Sequence, residues 1–471
     1  MKELVKLAWR NLWRNRRRTY ITAASIFFAI WFATVMRSFQ LGTYDHMIQL
    51  LIESYSGYLQ VQQADYFDDP SIDNAFRPSA ACMQKIRNTP NVKVAVPRIE
   101  SFALASTGTL SKGVVVTGIS PREERSMSNP ANKLVRYRIT PRVLQQMKGV
   151  QGWSAQQQSL LSSAVNTSYT SDALLMRELG VDDSLLPAFK TLLRFASLPS
   201  RYLSETDEGV LLSDRLSRYL NLNIGDSVVL MGQGYHGVSA ARVFPIRGIV
   251  KIPAVELDNK LIYMTLPQAS RFYGMDGMIT SVCVNLYDKT ALQKTQRNLE
   301  TVLTKQHLRV HRWEEIIPVL KQQIQGSSQK GLVFIWILYV IIFFGIYGTV
   351  QMMLSERRRE FGVLVAIGMS PRKLAGVVGL EMGFLGLIGI GCGMLAAVPF
   401  IVYGYYYPLH IGGEVGQMYM DYGFDPVMPM AWFGGYFLRQ GLTVFLMVVV
   451  ATLLPMKHLL RINVIQSIHG Q

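Results

Sequence analysis

The chain has 471 residues, 49% of them hydrophobic, with mean hydropathy +0.18 and a formal net charge of +16. It is too apolar for an ordinary soluble protein and too polar to lie in a membrane throughout, so a membrane anchor joined to a large water-soluble domain is expected. The extra cations lie largely beside apolar segments, where topology accounts for them, and this argues against nucleic acid as a partner.

Residues 1–18 read as an amphipathic helix. Leu4, Leu7, Ala8, Asn11 and Leu12 share one face, while Lys2, Lys6, Arg10 and Arg17 share the other, with Trp9 and Trp13 beside the latter. Such a helix suits the inner leaflet of a membrane, and contact with a partner protein is compatible with it. The apolar run that follows, placed in a first span over 19–41, comes after an unusually long basic segment and lacks a cleavage pattern, so it stays in the membrane.

Residues 42–330 form one insertion between the first and second spans. Strands are predicted at Tyr58–Gln62, Val92–Pro97, Gly113–Gly118, Ser227–Met231, Arg242–Val250 and Leu261–Thr265, and helices at Thr290–Gln306 and Trp313–Gln325, which makes the domain α+β. A helix over Leu41–Ser54 and the one leading into the second span are expected to form a stalk. The stretch Gln151–Ser171 is rich in Ser and Gln and predicts a flexible loop or poorly packed insertion. Cys82 and Cys283 fall in this region and a bridge is open to them if it is extracytoplasmic; two buried free thiols are the favoured reading. With Cys392 they form no CxxC and no Cys/His cluster, so no metal site follows.

The second span covers 331–354, the third 374–403 and the fourth 432–454, each long enough to cross. A short outer loop occupies 404–431 and a tail 455–471. Cations flank the first span at Lys2, Lys6, Arg10, Arg14, Arg16, Arg17 and Arg18, separate the second and third at Arg357, Arg358, Arg359, Arg372 and Lys373, and follow the fourth at Lys457 and Arg461. The loop Pro408–Ala431 holds Glu414, Asp421 and Asp425 with no Lys or Arg, so both termini are expected in the cytoplasm and residues 42–330 outside.

Residues 355–373, SERRREFGVLVAIGMSPRK, therefore read as a short, basic, largely helical cytoplasmic connector. Glu356, Arg357, Arg358, Arg359 and Glu360 put both signs of charge within two turns, as a polar docking surface requires. Gly362 and Gly368 permit close approach or a break, and Ser370-Pro371 can cap and start the next helix, with Arg372 beyond. In the membrane, Glu381 lies about two turns into span three and Arg439 nearer the outer end of span four, so no direct ion pair between them is expected. Arg439 is expected to snorkel or line an outer cavity, and Glu381 to support packing near the connector. Gly379, Gly383, Gly389 and Gly393 allow tight helix contact, within the chain or across a dimer seam. Tyr403–Tyr407 and Met418–Met430 read as an aromatic belt or as an apolar rim for acyl chains. No Ser/His/Asp set, paired acid or HExxH motif appears, and His410, His458 and His469 are scattered, so no catalytic residue is assigned.

The run Glu356-Arg357-Arg358-Arg359-Glu360-Phe361-Gly362-Val363-Leu364, then Ala366-Ile367-Gly368-Met369-Ser370-Pro371 and Glu381, resembles the ER-x-EIG-x-L-x-A-x-G signature of the FtsX/MacB/lipoprotein-releasing (Lol-type) ABC-transporter permeases. Leu454-Pro455, Arg461 and Val464–Ile468 resemble that family's ending, with Asn463-Val464 in place of the usual Asp-Pro. Leu7–Leu12 with Arg16–Thr19 is similar to its leading helix, and Gly57–Val61, Val96-Pro97-Arg98 and Leu211–Ser213 to Gly225-Asp226 look like its periplasmic core. The resemblance implies four transmembrane helices, a MacB-like periplasmic domain and a multi-pass place in the bacterial inner membrane.

It also implies a non-catalytic subunit. The chain has no GxxxxGK[ST] loop, so ATP and Mg are expected on a separate ABC ATPase dimer that grips the connector, and no cofactor on this chain. A second permease copy or a sister permease, a periplasmic chaperone or adaptor, and lipidated cargo are the further partners implied. The leading function is mechanotransmission to lipoprotein or other lipidated cargo at the outer face. MacB-like efflux of a drug or peptide with an adaptor, and an FtsX-like scaffold regulating a periplasmic hydrolase, are the alternatives.

Overall fold

A computed structural model describes residues 2–14, 16–150, 153–182, 185–304, 307–411, 415–416, 418–419 and 427–459. The chain divides into two compact units, one of residues 1–46, 322–410 and 427–471, the other of 47–321 and 411–426. The expected tail residues Arg461 and Val464–Ile468, the loop carboxylates Glu414, Asp421 and Asp425, and His469 lie outside the described residues.

The first unit is built from α1 (Lys2–Arg14), α2 (Arg16–Leu51) as far as residue 46, α3 (Pro318–Glu356) from residue 322 on, α4 (Arg358–Ala366), α5 (Pro371–Tyr406) and α6 (Gly435–Leu459). Among the described residues four segments are long and apolar enough to cross a membrane: Thr19–Leu50, Val333–Glu356, Pro371–Tyr406 and Gly435–Met456. Their shared core includes Ile26 and Ile30 of α2, Ile346 and Val350 of α3, Met382 and Leu385 of α5, and Val444 and Val448 of α6. The helix expected over Trp313–Gln325 is broken. A short helix Trp313–Ile316 ends first, and Pro318 opens α3 at a position where its missing N–H costs nothing.

The small residues of α5 divide sharply by neighbour. A Cβ on Gly389 would lie 2.8 Å from Ile26 Cβ and 3.0 Å from the Ala23 carbonyl oxygen, and one on Gly393 would meet Ile30 and come within 2.7 Å of the Phe27 carbonyl. Here α2 and α5 touch backbone to backbone within one chain. Gly379 meets only Met456 Cε at 3.8 Å and Gly383 has nothing within 4 Å, so the first small-residue pair does not form such a seam. Deeper in the bundle the buried Gln440 amide of α6 donates to the Ala33 carbonyl at 2.9 Å and accepts from the Tyr339 hydroxyl, satisfying both ends where water is absent.

Among the described residues of the second unit, a sheet of nine strands runs in the order β11-β1-β10-β2-β3-β9-β6-β8-β7. These are β1 (Leu59–Gln63), β2 (Val92–Ser106), β3 (Ser111–Ile119), β6 (Val210–Ser213), β7 (Ser227–Gln233), β8 (Ser239–Val250), β9 (Leu261–Thr265), β10 (Ser281–Leu286) and β11 (Leu308–Arg312); β4 (Tyr137–Arg138) and β5 (Ser168–Tyr169) pair separately. The 15-residue β2 pairs β10 along its first half, β3 along its second, and β7 at Leu104–Ser106. That last pairing closes β2, β3, β9, β6, β8 and β7 into a ring around Val116, Leu212, Leu230, Phe244 and Ile262. The strands β6 and β10, buried at every residue, and β11 are additions to the predicted set. With both faces covered, β10 holds Ser281 and Asn285 inside and presents no water-facing side to betray it.

The expectation for Gln151–Ser171 is corrected. From Ser154 onward these residues include a helix, Ala155–Ser163, opened by a capping box between Ser154 and Gln157, and Trp153, Leu161 and Tyr169 are buried with Phe189 and Leu192 of a neighbouring helix. Its Ser and Gln serve caps and solvent faces, while a few apolar residues make the core. Arg138 anchors this insert through Asp214 at 2.7 Å and Ser217 at 2.9 Å. Cys82 and Cys283 are both buried and both free.

The α2–α5 seam makes a direct test. Gly393→Leu should destabilise the full chain by about 1–3 kcal/mol through overpacking, read as a lowered Tm in detergent, whereas Gly383→Ala should leave Tm unchanged or slightly raised. Equal effects at the two positions would contradict the seam.

Candidate functional site

The connector's residues separate into an inward and an outward set. Glu356 closes α3 and is exposed, whereas Arg357, in the joint before α4, is only 4% exposed. Arg358 and Arg359 begin α4, and their side chains lie outside the described ones. Within α4, Phe361 is buried against the bundle and Gly362 is buried, while Val363 is 49% exposed and Ile367, one turn on, is 79% exposed. Gly368 has φ +106°, a left-handed conformation that ends the helix and that a side chain strains. Ser370 is extended ahead of α5, but its hydroxyl makes no capping bond, so the expected cap is corrected; Pro371 alone supplies the start. Arg372 is exposed.

Two charges meet inside. The Arg357 guanidinium donates through Nη1 to Glu381 Oε2 and through Nε to Glu360 Oε2 at 3.0 Å, and lies 5.1 Å over the Phe361 ring. Glu381, 2% exposed on α5, accepts a second bond at Oε1 from the Asn11 amide at 2.8 Å. Arg14 reaches Glu360 at 2.6 Å. One arginine fork and two carboxylates thus tie α1, the α3–α4 joint, α4 and α5. Arg439 takes no part: it is exposed and donates to the Gly435 carbonyl of its own helix at 3.1 Å.

The leading helix turns most of its expected face inward, with Leu7 the exception. Ala8 and Leu12 are buried, Asn11 is partly buried and points to Glu381, but Leu7 is 40% exposed. Val5, Trp9 and Trp13, spaced four apart, form an exposed apolar stripe, with Trp9 edge-on to Phe384 of α5 at 5.5 Å. The pairings of Arg357 with Glu381 and of Asn11 with Glu381 are not among the expectations from sequence. The available signal was an Asn on an otherwise apolar helix face and a carboxylate within an apolar helix, each of which needs a polar partner.

Nothing in this cluster is arranged as nucleophile and base. It is a buried polar cross-link, and separating α4 from Glu381 and α1 would leave a buried charge unpaired.

Glu381→Gln should therefore cost on the order of 3 kcal/mol in the full chain, and Arg357→Met combined with Glu381→Leu should recover much of that loss, as thermal unfolding in detergent would show. A double variant no more stable than the single one would argue against the pairing. Burial raises the Glu360 carboxyl, but the Arg357 hydrogen bond and the charges of Arg357 and Arg14 outweigh it and hold the group below its usual value. Its contribution is thus present above the ordinary carboxylate range and lost as pH falls through the lowered one. The Tm difference between wild type and Glu360→Gln should shrink in that acid window; a difference that grows would reverse the sign.

Residues 332–464 match the family model described as FtsX-like permease C-terminal. An uncharacterized ABC transporter permease, MJ1507 of Methanocaldococcus jannaschii, is 24% identical over 164 residues, covering 33% of this chain and 40% of the relative. The lipoprotein-releasing system transmembrane protein LolC of Xylella fastidiosa is 20% identical over 201 residues, covering 42% and 48%. The chain thus matches less than half the length of each of these relatives. The crystal structure of the periplasmic region of MacB from Actinobacillus actinomycetemcomitans aligns with 11% identity over 58% of this chain and 97% of that one, at TM-score 0.31.

Proposed function

We propose that this chain, a permease of the FtsX/MacB/Lol-type ABC-transporter family, is the membrane subunit through which a separate ABC ATPase dimer does mechanical work on lipidated cargo outside the bacterial inner membrane. The observation that carries this reading is the Arg357 joint. It fixes α4 to the bundle while leaving Val363, Ile367 and Arg372 exposed for a partner, so a push on α4 is delivered to α1 and α5 and not absorbed locally. ATP and Mg belong on the partner, the connector and both termini in the cytoplasm, and the second unit in the periplasm. A second permease copy or a sister permease completes the assembly, with a periplasmic chaperone or adaptor to receive the cargo.

Lipid as the cargo's handle is supported by an apolar groove between α2 and α3 in the spans. It has a volume of about 280 Å3, lined by Phe28, Phe32, Leu338, Ile342 and Ile346, with Ser25 as its polar member among the described residues. A groove of that chemistry suits an acyl chain, and the relative named LolC is a lipoprotein-releasing protein. MacB-like efflux and FtsX-like regulation of a hydrolase would use the same joint, but neither calls for an apolar groove within the spans.

Glu360→Lys and Gly368→Trp should each abolish copurification with the ABC ATPase, or its stimulation by the permease, while the chain still inserts in the membrane. Normal coupled ATPase activity in both variants would remove the proposal.

A further inference from the structure

The second unit contains a pocket of about 500 Å3 that the joint and the groove do not use, within the size range of small-molecule sites. Its floor is one face of the sheet. Gln62 of β1 pairs in register with Ser281 of β10, and Ser281 with Arg98 of β2, so Gln62 and Glu100, two residues beyond Arg98, project on the same side. Tyr66, Phe67 and Phe102 supply aromatic walls, and Phe102 is 62% exposed.

The hydrogen-bond polarity of the floor is set from one end. The Ser56 carbonyl can only accept, and it takes Gln60 Nε2 at 3.1 Å; Gln60 Oε1 then takes Gln62 Nε2 at 2.9 Å. Gln62, 5% exposed and part of the pocket lining, is left with a buried Oε1 that has no partner among the described residues. A buried acceptor in that state lacks a donor, and the pocket is where one can come from. Glu100 repeats the pattern at one oxygen only, since its carboxyl also takes a side-chain hydrogen bond from Tyr55. Its Oε1 makes no hydrogen bond among the described residues and stands 3.5 Å from Arg98 Nη1, whose close bond runs to the Tyr55 carbonyl at 2.6 Å while Nη2 binds Glu124 at 2.5 Å.

Charge at the rim has the same sense. The described lining includes the carboxylates of Glu100, Glu256 and Glu315 against the single ammonium of Lys260, which faces Glu256 at 3.8 Å. Glu315 is shared with His311 at 3.1 Å and Arg312 at 3.5 Å. Each lining carboxylate already has a cation within 4.0 Å, so it is the acceptor oxygens without hydrogen bonds and the aromatic walls that suit a positively charged donor with an apolar body.

We propose that this pocket binds a small organic cation, an ammonium or guanidinium head on an apolar body, with the head donating to Glu100 and Gln62 and the body against Phe67 and Phe102. The inference is independent of the cargo reading. The full chain in lipid nanodiscs, with empty nanodiscs as the blank, should be titrated by calorimetry with 2-phenylethylamine, with neutral 2-phenylethanol and with anionic phenylacetate. The amine should bind with a Kd of about 1 mM or tighter, and the alcohol and the acid about tenfold more weakly or worse. Glu100→Gln should weaken the amine about tenfold and bring it level with the alcohol. Phe102→Ala, at an exposed position the fold tolerates, should weaken it several-fold, and so decides the matter if Glu100→Gln fails to fold. No heat from the amine, equal affinity for the alcohol, or wild-type affinity in Phe102→Ala would each overturn the proposal.

Discussion

A carboxylate held inside an apolar helix bundle is costly unless a cation and enough hydrogen-bond donors reach it, and Glu381 meets that demand with Arg357 and Asn11. The organisation of that end of the first unit follows. Arg357 can serve Glu381 only if the chain turns back directly after α3, which sets where α4 begins. Asn11 can fill the second oxygen only if α1 lies against α5. The planar arginine fork then has an edge left for Glu360, which brings Arg14 in from the other side. A lysine could neutralise Glu381, but it would not span two carboxylates with one rigid group.

The second unit meets a similar demand in different surroundings. Arg98 and Glu124 are fully buried and bonded twice, with the Tyr55 carbonyl and the Ser128 hydroxyl taking up remaining capacity. Arg98 stands near the middle of β2, where that strand passes from pairing with β10 to pairing with β3. The ion pair therefore sits at the junction of the closed ring and its three-strand extension.

How much of this is legible in the sequence depends on whether a feature is local. The four apolar runs are visible as length and composition, and most ring strands as short β-branched runs. Glu381 and Arg357 are separated by a helix, a left-handed glycine and a turn, so depth along the spans, which correctly excludes Arg439, says nothing about a partner in the connector. The Ser- and Gln-rich stretch misleads because composition averages over a capped helix whose core contribution is a single leucine and its neighbours. Strands β6 and β10 escape notice because burial on both faces removes the contrast between wet and dry sides. The pocket is invisible in sequence, since it rests on which way two glutamine amides point.

The glycine contacts of α5 carry a consequence for how the bundle yields under load. Where Gly389 and Gly393 meet the backbone of α2, there are no long side chains to bend, so that seam is stiff. On its other flank α2 borders α3 across a groove, where phenylalanine, leucine and isoleucine rotamers and empty volume give compliance. A structure with one stiff and one compliant seam concentrates strain at the compliant one. Torque applied at the Arg357 end would be taken up as a change in the width of the α2–α3 groove, with α2 and α5 turning as a single beam.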